Sequence, residues 1–332
     1  MSRPIRHRDK QTLLGFYTTM LRIRLCEEGF VAPIAAGEIR CPVHLCSGQE
    51  AVATGVCANL SPRDYVFGTH RSHGHYIAKG GDLRRLVAEI YCRETGCARG
   101  RGGSMHVIAP EAGMLGAAPI VAGTIALAVG AAYASWVRSE ERIAVAFFGD
   151  GAAGEGVLYE SMNIAALRRL PVLFVCENNL YSTHLPIREC RVSEEIYKSA
   201  EPLGVRASRV DGNDVLAVHE AAREAVSRCR SGAGPSFLEC LTYRLRGHVG
   251  PDDNVQGNRT DIRPASELAA WKERDPILRL ERVLLSQGLV DNGDLERVRG
   301  LVQEEIEEAV AFARESCFPA PGCLHANLTH EP

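Results

Sequence analysis

Two side chains that carry oxygen ligands, Asp150 and Asn179, each follow an apolar run typical of a buried strand. The runs are Ile143–Phe148 and Val172–Cys176, and a helix-like segment separates them. Asn179 follows Asp150 by 29 residues, the length of one strand–helix–strand crossover. Both side chains should therefore lie at the carboxyl edge of a parallel sheet, where open α/β folds bind ligands. A carboxylate and an amide oxygen suit a hard cation such as Mg²⁺, which commonly bridges to phosphates.

The turn that carries Asp150 has a second interpretation. The segment Gly149–Gly154, GDGAAG, also fits the GxGxxG pattern of dinucleotide-binding folds, and Glu177 ends the next predicted strand. A carboxylate at Asp150 would repel a dinucleotide pyrophosphate, whereas a divalent metal would convert the repulsion into a bridge. Asn179 also has no role in the dinucleotide interpretation. The residues favour a metal–diphosphate site, and a capped glycine turn without any ligand is the remaining alternative.

Length and composition limit the class of protein. The chain has 332 residues and a formal net charge of −3, which predicts about two domains, or one large α/β domain with appendages, and argues against nucleic-acid binding. Its 12 cysteines contain no CxxC pair, and most lie in apolar runs. They read as small buried residues in a reducing compartment, so we expect a cytoplasmic protein.

The uncharged segment Pro119–Val137 is the one candidate membrane span, but Ala and Gly make it weakly hydrophobic. We expect a buried helix instead, and no membrane association. Small residues recur along one face at spacings of three and four, which suits tight helix packing and could place this face at a subunit interface; they are Gly123, Ala126, Gly130 and Ala134.

The predicted elements alternate between strands and helices. Further strands are predicted at Val205–Val210 and Phe237–Tyr243, with a helix at Asp214–Arg230 between them. This order predicts an α/β fold, a parallel sheet with helices on both faces. From about Ser266 to Ser316 the pattern is helical and charged, so we divide the chain into a main domain, 1–265, and a helical C-terminal extension, 266–332.

Motifs along most of the chain resemble one family. Gly149-Asp150-Gly151 followed after about thirty residues by Asn178-Asn179 is similar to the diphosphate-binding motif of thiamine-diphosphate enzymes. More narrowly, the chain resembles the alpha subunit of the decarboxylating component of 2-oxo-acid dehydrogenase complexes of the pyruvate, branched-chain 2-oxo-acid and acetoin dehydrogenase type. The resemblance is carried by HLCSGQEA (44–51), HRSHGHY (70–76), GCARGRGGSMHV (96–107), GDGAAGEG (149–156), MNIAALRRLPVLFVCENNLYS (162–182), RVDGND (209–214), TYRLRGH (242–248) and DPILRLERVL (275–284).

The resemblance implies a thiamine-diphosphate-binding fold and assigns roles to the residues around the two motifs. Asp150, the Asn179 side chain and the backbone carbonyl of Tyr181 match the Mg²⁺ ligands. Gly151 and Ala152 would offer backbone N–H groups to the diphosphate, near the positive end of the following helix.

Other matching positions lie further from these motifs. Arg71 matches the diphosphate-binding arginine of the family, and the residue before it is His70 where the family has Tyr. Gly113 and Leu115 match a loop whose backbone contacts the aminopyrimidine ring, although this loop, GMLGAAPIVAG, is one residue shorter than usual and lacks the family's frequent Gln.

Two histidines match residues near the reaction centre. His248 would bind the cofactor and act in catalysis by donating a hydrogen bond to phosphate or to a charged intermediate. His44 matches a histidine of the substrate channel and is the second predicted catalytic residue. The loop after His248, VGPDDNVQGNRT, has no serine, so we predict no phosphorylation switch of the mitochondrial type there.

The resemblance also implies partners and a reaction. A separate beta subunit would complete the site with the aminopyrimidine-binding half and its glutamate, in an α2β2 heterotetramer. The expected reaction is decarboxylation of a small, pyruvate-like 2-oxo acid with acyl transfer to a lipoyl group on a transacylase. Three alternatives remain: a transketolase-like or acyl-transferring variant that delivers a two-carbon unit to a carrier protein, which the altered loops 113–123 and 249–260 motivate; a nicotinamide-dependent dehydrogenase; and a structural partner without activity.

Overall fold

The computed structural model describes residues 10–251 and 263–323. Its centre is a six-stranded sheet, and every neighbouring pair of strands in it is parallel. The strands of this sheet are β1 (Tyr65–Gly68), β2 (Met114–Ala117), β3 (Ala144–Gly149), β4 (Val172–Asn178), β7 (Arg206–Asp211) and β8 (Ser236–Leu241). Two short strands, β5 (Tyr181–Ser182) and β6 (Leu185–Pro186), form a separate hairpin. The order across the main sheet is β2-β1-β3-β4-β8-β7.

Helices cover both faces of this sheet. The helices of the described chain are α1 (Lys10–Glu28), α2 (Val31–Ala35), α3 (Glu50–Cys57), α4 (His73–Ala78), α5 (Leu83–Ile90), α6 (Gly123–Val137), α7 (Gly156–Arg168), α8 (Ile187–Cys190), α9 (Val215–Arg230), α10 (Ala265–Lys272), α11 (Pro276–Ser286) and α12 (Asn292–Glu315). One hydrophobic core lies between the sheet and α1, α3, α5, α9, α11 and α12. A second core lies on the opposite face, under α6 and α7. The predicted fold class is therefore confirmed.

The alternation of side chains along β3 shows why both faces need cover. Val145 and Phe147 belong to the core under α1 and α9, whereas Ala146 and Phe148 belong to the core under α6 and α7. All four side chains are fully buried. Successive side chains of a strand point to opposite faces, so a continuous apolar run requires helices on both.

Five predicted elements appear within a few residues of their expected bounds. They are β3, β4, β7, β8 and α9. The strands β1 and β2 were not predicted, because each is only four residues long and gives too few positions for a period to be recognised. The segment GMLGAAPIVAG, predicted as a loop, begins instead with β2, which pairs with β1.

The C-terminal helices belong to the same hydrophobic core as the N-terminal ones. Leu280 of α11 and Ile306 of α12 are buried in the cluster that contains Met20 of α1. The predicted domain boundary between residues 265 and 266 stays a prediction. Residues 252–262, which include most of the loop VGPDDNVQGNRT, lie outside the described part of the chain, and so does the phosphorylation prediction for it.

The predicted alanine- and glycine-rich helix exists as α6, which begins at Gly123. Its buried face, which includes Ile125 and Ala132, packs on the sheet. Three members of the predicted small-residue face are exposed in this chain: Ala126, Gly130 and Ala134. No described helix is both long enough and apolar enough to cross a bilayer.

Candidate active site

The order of the strands creates a crevice at the carboxyl edge of the sheet. The chain leaves β1 toward β2 on one side, and it leaves β3 toward β4 on the other. The point between β1 and β3 is thus the topological switch point, where α/β sheets bind ligands. Arg71 follows β1, and Asp150 follows β3 directly, so both predicted site residues reach this crevice.

A cavity of about 220 Å³ opens there. Polar and charged side chains from five separate segments line it. The lining includes His44, Gln49, Thr69, His70, Arg71, Gly149, Asp150, Gly151, Ala152, Glu177, Asn179, Tyr181, Arg244 and His248. The structure therefore brings together eight of the predicted site residues: His44, Arg71, Asp150, Gly151, Ala152, Asn179, Tyr181 and His248. His70, which stands where the family has Tyr, lines the same cavity.

Two predicted cofactor contacts do not reach this cavity. Gly113 lies in the left-handed turn before β2, with φ of +84°, and Leu115 lies within that strand. The cavity wall from this part of the chain is formed by residues 118–122 instead. An added Cβ at Gly113 would lie 2.2 Å from the Asp64 carbonyl oxygen, so packing alone accounts for this glycine. The cofactor role of both residues stays a prediction.

Asp150 is a buried carboxylate that faces the cavity. Its side chain is only 4% exposed, and burial raises its pKa to about 6, although backbone N–H groups of Asp150 and Asn179 and the more distant Arg244 counteract this. Among the described residues, no cationic nitrogen forms an ion pair with it. A buried carboxylate without a cationic partner is costly. The position suits a metal ion, whose charge would offset that cost.

Asn179 is oriented by its neighbours. Its Nδ2 donates to Gln49 Oε1 at 3.2 Å, and its Oδ1 accepts from the Tyr181 backbone N–H at 3.2 Å. The amide oxygen keeps a second lone pair, since a carbonyl oxygen has two. Gln49 was missed by sequence reasoning, although it lies within the quoted motif HLCSGQEA.

The glycine turn after β3 contributes Asp150, Gly151 and Ala152 to the cavity lining. Residues Asp150–Gly154 form a 3₁₀ turn, and α7 begins after it at Gly156. A Cβ at Gly151 would lie 2.5 Å from Ser182 Oγ, so a larger residue there would require the Ser182 side chain to move. This 3₁₀ turn separates Gly151 and Ala152 from the start of α7, and the binding of diphosphate by their backbone N–H groups stays a prediction.

His44 and His248 come together because backbone hydrogen bonds join their segments. Leu245 N–H donates to Ser47 O, and Gly250 N–H donates to Val43 O, both at 2.8 Å. The ring centroids of the two histidines are 5.3 Å apart. Burial, assisted by Arg71, lowers the pKa of both to about 2, so both rings are neutral at physiological pH.

The Arg71 side chain is buried between these segments and lines the cavity. It donates to the Leu45 carbonyl oxygen and, at 3.1 Å, to the carbonyl oxygen of His248. No carboxylate forms an ion pair with it among the described residues, so Arg71 contributes positive charge to the lining of the cavity that also contains Asp150. Arg244, missed although it lies in the quoted motif TYRLRGH, adds a second buried cation and donates to Thr183 O at 2.8 Å.

Buried networks behind the cavity hold these side chains in place. His73 lies between Glu27 Oε1, at 3.0 Å, and Ser104 Oγ, at 2.9 Å. Ser104 Oγ also accepts from the His44 backbone N–H at 3.2 Å. His75 Nε2 lies 3.1 Å from Glu177 Oε2. His73 and His75 therefore support the site rather than line its cavity.

Comparison with known proteins is consistent with this geometry. The dehydrogenase E1 component family matches residues 18–322. The chain belongs to this family.

Its relatives span nearly the whole chain. The alpha subunit of acetoin:2,6-dichlorophenolindophenol oxidoreductase from Bacillus subtilis (strain 168) is 41% identical over 310 residues, 93% of this chain and 91% of the relative. The pyruvate dehydrogenase E1 component subunit alpha of Porphyra purpurea is 38% identical over 317 residues, 93% of this chain and 90% of the relative. The same subunit of Zymomonas mobilis is 37% identical over 323 residues.

Membership of the E1 family resolves several of the open alternatives. The chain is an alpha subunit of a 2-oxo-acid dehydrogenase type of oxidoreductase and pairs with a beta subunit. The family depends on thiamine diphosphate, usually with a divalent metal such as Mg²⁺. The predicted function class and cofactors are confirmed, and the dinucleotide interpretation of Gly149–Gly154 loses its support.

Proposed function

We propose that this chain holds the diphosphate end of thiamine diphosphate in the crevice between β1 and β3. The buried Asp150 carboxylate without a cationic partner is the observation that carries this proposal. Asp150, the Asn179 side chain and the Tyr181 carbonyl would hold Mg²⁺, whose preferred ligands are oxygens. Arg71 and the N–H groups of Gly151 and Ala152 would bind the diphosphate oxygens.

When bound, thiamine diphosphate supplies the carbanion chemistry that decarboxylates a 2-oxo acid. The residues of this chain would bind and orient the cofactor and keep water out of the site. His44 and His248, being neutral, can each donate one N–H hydrogen bond to an anionic oxygen without adding a full charge. Their low pKa values favour this role as neutral hydrogen-bond donors over the role of a protonated general acid at neutral pH. We expect the beta subunit to provide the glutamate for the aminopyrimidine ring.

The finer assignment is a pyruvate-like 2-oxo acid as donor and a lipoyl group on a transacylase as acceptor, in the cytoplasm. Acetoin is a second candidate donor, because a relative of 41% identity is named as an acetoin oxidoreductase. A carrier protein that accepts a two-carbon unit is the remaining alternative for the acceptor. No nucleic acid or membrane is part of the proposal.

The test is co-expression with the candidate beta subunit and assay of a substrate panel with an artificial electron acceptor. The panel contains pyruvate, branched-chain 2-oxo acids, acetoin, hydroxypyruvate and a sugar phosphate. We expect turnover that requires both subunits, thiamine diphosphate and Mg²⁺, with pyruvate preferred. Turnover of hydroxypyruvate or a sugar phosphate alone would favour the carrier-protein variant, and activity that requires NAD⁺ but no Mg²⁺ would overturn the proposal.

A further inference from the structure

Three histidines that are far apart in the sequence meet at the cavity. One metal-binding atom from each of His44, His70 and His248 lies within 4.8 Å of the other two. The ring centroids are 4.8 Å apart for His44 and His70, and 5.7 Å apart for His70 and His248. This cluster of three histidines lies beside, and does not include, the oxygen ligands around Asp150.

All three rings are in the protonation state that binds metals. Burial, with Arg71 as the next contribution, lowers the pKa of His70 to about 3, as it lowers those of His44 and His248 to about 2. Neutral imidazole has one nitrogen with a free lone pair, and that nitrogen is the usual ligand for Zn²⁺.

One nitrogen of the cluster is buried without a partner. His44 is 8% exposed, and its Nδ1 has no hydrogen bond to the described residues. Buried polar atoms normally have a hydrogen-bond or metal partner, so an orphaned ring nitrogen calls for an explanation. His44 lines the cavity, so a ligand bound in the cavity can supply that partner.

We propose that His44, His70 and His248 form a site for a borderline transition-metal ion such as Zn²⁺, separate from the Mg²⁺ ligands. Tetrahedral zinc with Zn–N bonds of about 2.0–2.1 Å places its nitrogens about 3.4 Å apart, so small side-chain rotations suffice from separations within 4.8 Å. Three protein ligands leave a fourth position for water or a small anion. Oxygen ligands select Mg²⁺ and imidazoles select Zn²⁺, so the two sites discriminate by chemistry.

The neighbouring cations limit the affinity of this site. Arg71 Nη2 lies 3.4 Å from His248 Nδ1, and zinc binding to either ring nitrogen of His248 would end this long contact. Arg71 would keep its hydrogen bonds to two carbonyl oxygens. Because Arg71 and Arg244 also repel a divalent ion, we expect weaker binding than in a closed structural zinc site. Since the ion would share the cavity with the Mg²⁺ ligands, zinc should inhibit turnover reversibly.

The experiment is a Zn²⁺ titration by calorimetry of the alpha–beta complex, without thiamine diphosphate and with excess Mg²⁺. Co²⁺ serves as a second probe, because a tetrahedral site gives intense visible absorption. We expect one site per alpha chain. His70→Tyr and His70→Asn should each lower zinc affinity by at least about 100-fold, since even the loss of an outer partner can cost 10–100-fold.

Two control variants separate this site from other metal binding. His106→Gln replaces an exposed histidine outside the cluster, and Asp150→Ala removes a proposed Mg²⁺ ligand; both should retain zinc binding. Thermal unfolding shows whether each variant is folded. Unchanged zinc affinity in both His70 variants, loss of zinc binding in Asp150→Ala, or cobalt spectra without tetrahedral bands would overturn the inference. These readouts need no turnover, so they are independent of the proposed substrate.

Discussion

Asp150 is the side chain whose burial has the clearest functional consequence. The fold holds it at 4% exposure with its pKa raised to about 6, and most of it is still ionised at neutral pH. The negative charge is stabilised by backbone N–H groups rather than by an adjacent cation. A cation bound there would therefore stabilise the site.

We predict that Asp150→Ala abolishes Mg²⁺-dependent binding of thiamine diphosphate and leaves the fold largely intact. The residue lies in a turn that faces the cavity, so its removal costs a ligand rather than core packing. Calorimetric titration of the cofactor into the alpha–beta complex, together with circular dichroism, checks both parts. Glu155→Ala is the matched control, because Glu155 is an exposed carboxylate in the same segment. Normal cofactor affinity in Asp150→Ala would contradict the assignment.

Between elements, two buried carboxylates join segments that are separate in the chain. Asp64, just before β1, accepts from the Ile143 N–H at 3.1 Å and forms an ion pair with Arg230 at the end of α9. Glu89 of α5 accepts from four backbone N–H groups of one loop at 2.7–3.0 Å: those of Ala98, Gly100, Gly102 and Gly103. That loop continues to Ser104, which contacts His44 and His73.

Asp64 should make stability fall in acid. Burial alone would raise its pKa, but Arg230 and the N–H donors of Ser61 and Ile143 outweigh burial and hold the pKa below its usual value. The unfolded chain then binds the proton at the higher pH, so this stabilisation is present above about pH 4 and is lost as pH falls through the folded-state pKa. Asp64→Asn should lower stability by about 2 kcal/mol at pH 7 and much less in acid. Urea unfolding at several pH values measures this, and an equal loss at every pH would contradict it.

Glu89→Ala should destabilise the protein by about 3 kcal/mol, because it leaves several partly buried N–H groups without an acceptor. Through Ser104 it should also weaken cofactor binding. Thermal and urea unfolding give the first effect, and cofactor titration gives the second. Glu94→Ala, at an exposed position nearby, should change stability by less than about 0.5 kcal/mol. Equal stability of the two variants would show that Glu89 does not anchor the loop.

At the scale of the whole molecule, α6 presents an exposed apolar face. Its outward face carries the exposed residues Ala126, Gly130 and Ala134 next to Leu127 and Val137, each of which is 59% exposed. A contiguous apolar helix face of this kind is typical of a subunit interface. Because the chain pairs with a beta subunit, we expect this face to be covered in the assembly.

Gly130→Glu should therefore weaken subunit association without unfolding the chain. No neighbouring atom lies within 4 Å of a Cβ at Gly130, so the glutamate side chain causes no clash inside the alpha chain itself. Gly300→Glu on α12 is the matched control, because Gly300 is also exposed, helical and free of neighbours. Light scattering after size exclusion reports the mass of each complex. An intact assembly with Gly130→Glu would show that α6 lies outside the interface.

Local sequence patterns were sufficient to predict the parallel sheet and the elements β3, β4 and α9. They also predicted that Asp150 and Asn179, one crossover apart, lie at the same edge of the sheet. These features depend on neighbours within about thirty residues, so periodicity and motif spacing report them. The strands β1 and β2 were too short for such a signal. Gln49 and Arg244 lie within quoted motifs, but only the fold shows that their side chains line the cavity.

The cluster of His44, His70 and His248 arises only in the folded chain. Its members come from the segment before α3, the end of β1 and the segment after β8, and hydrogen bonds such as Gly250 N–H to Val43 O join these segments. The order of strands across the sheet decides which loop ends become neighbours, and burial among them removes the charge of the rings. Neither strand order nor desolvation is encoded in local spacing, because both depend on contacts between distant parts of the chain.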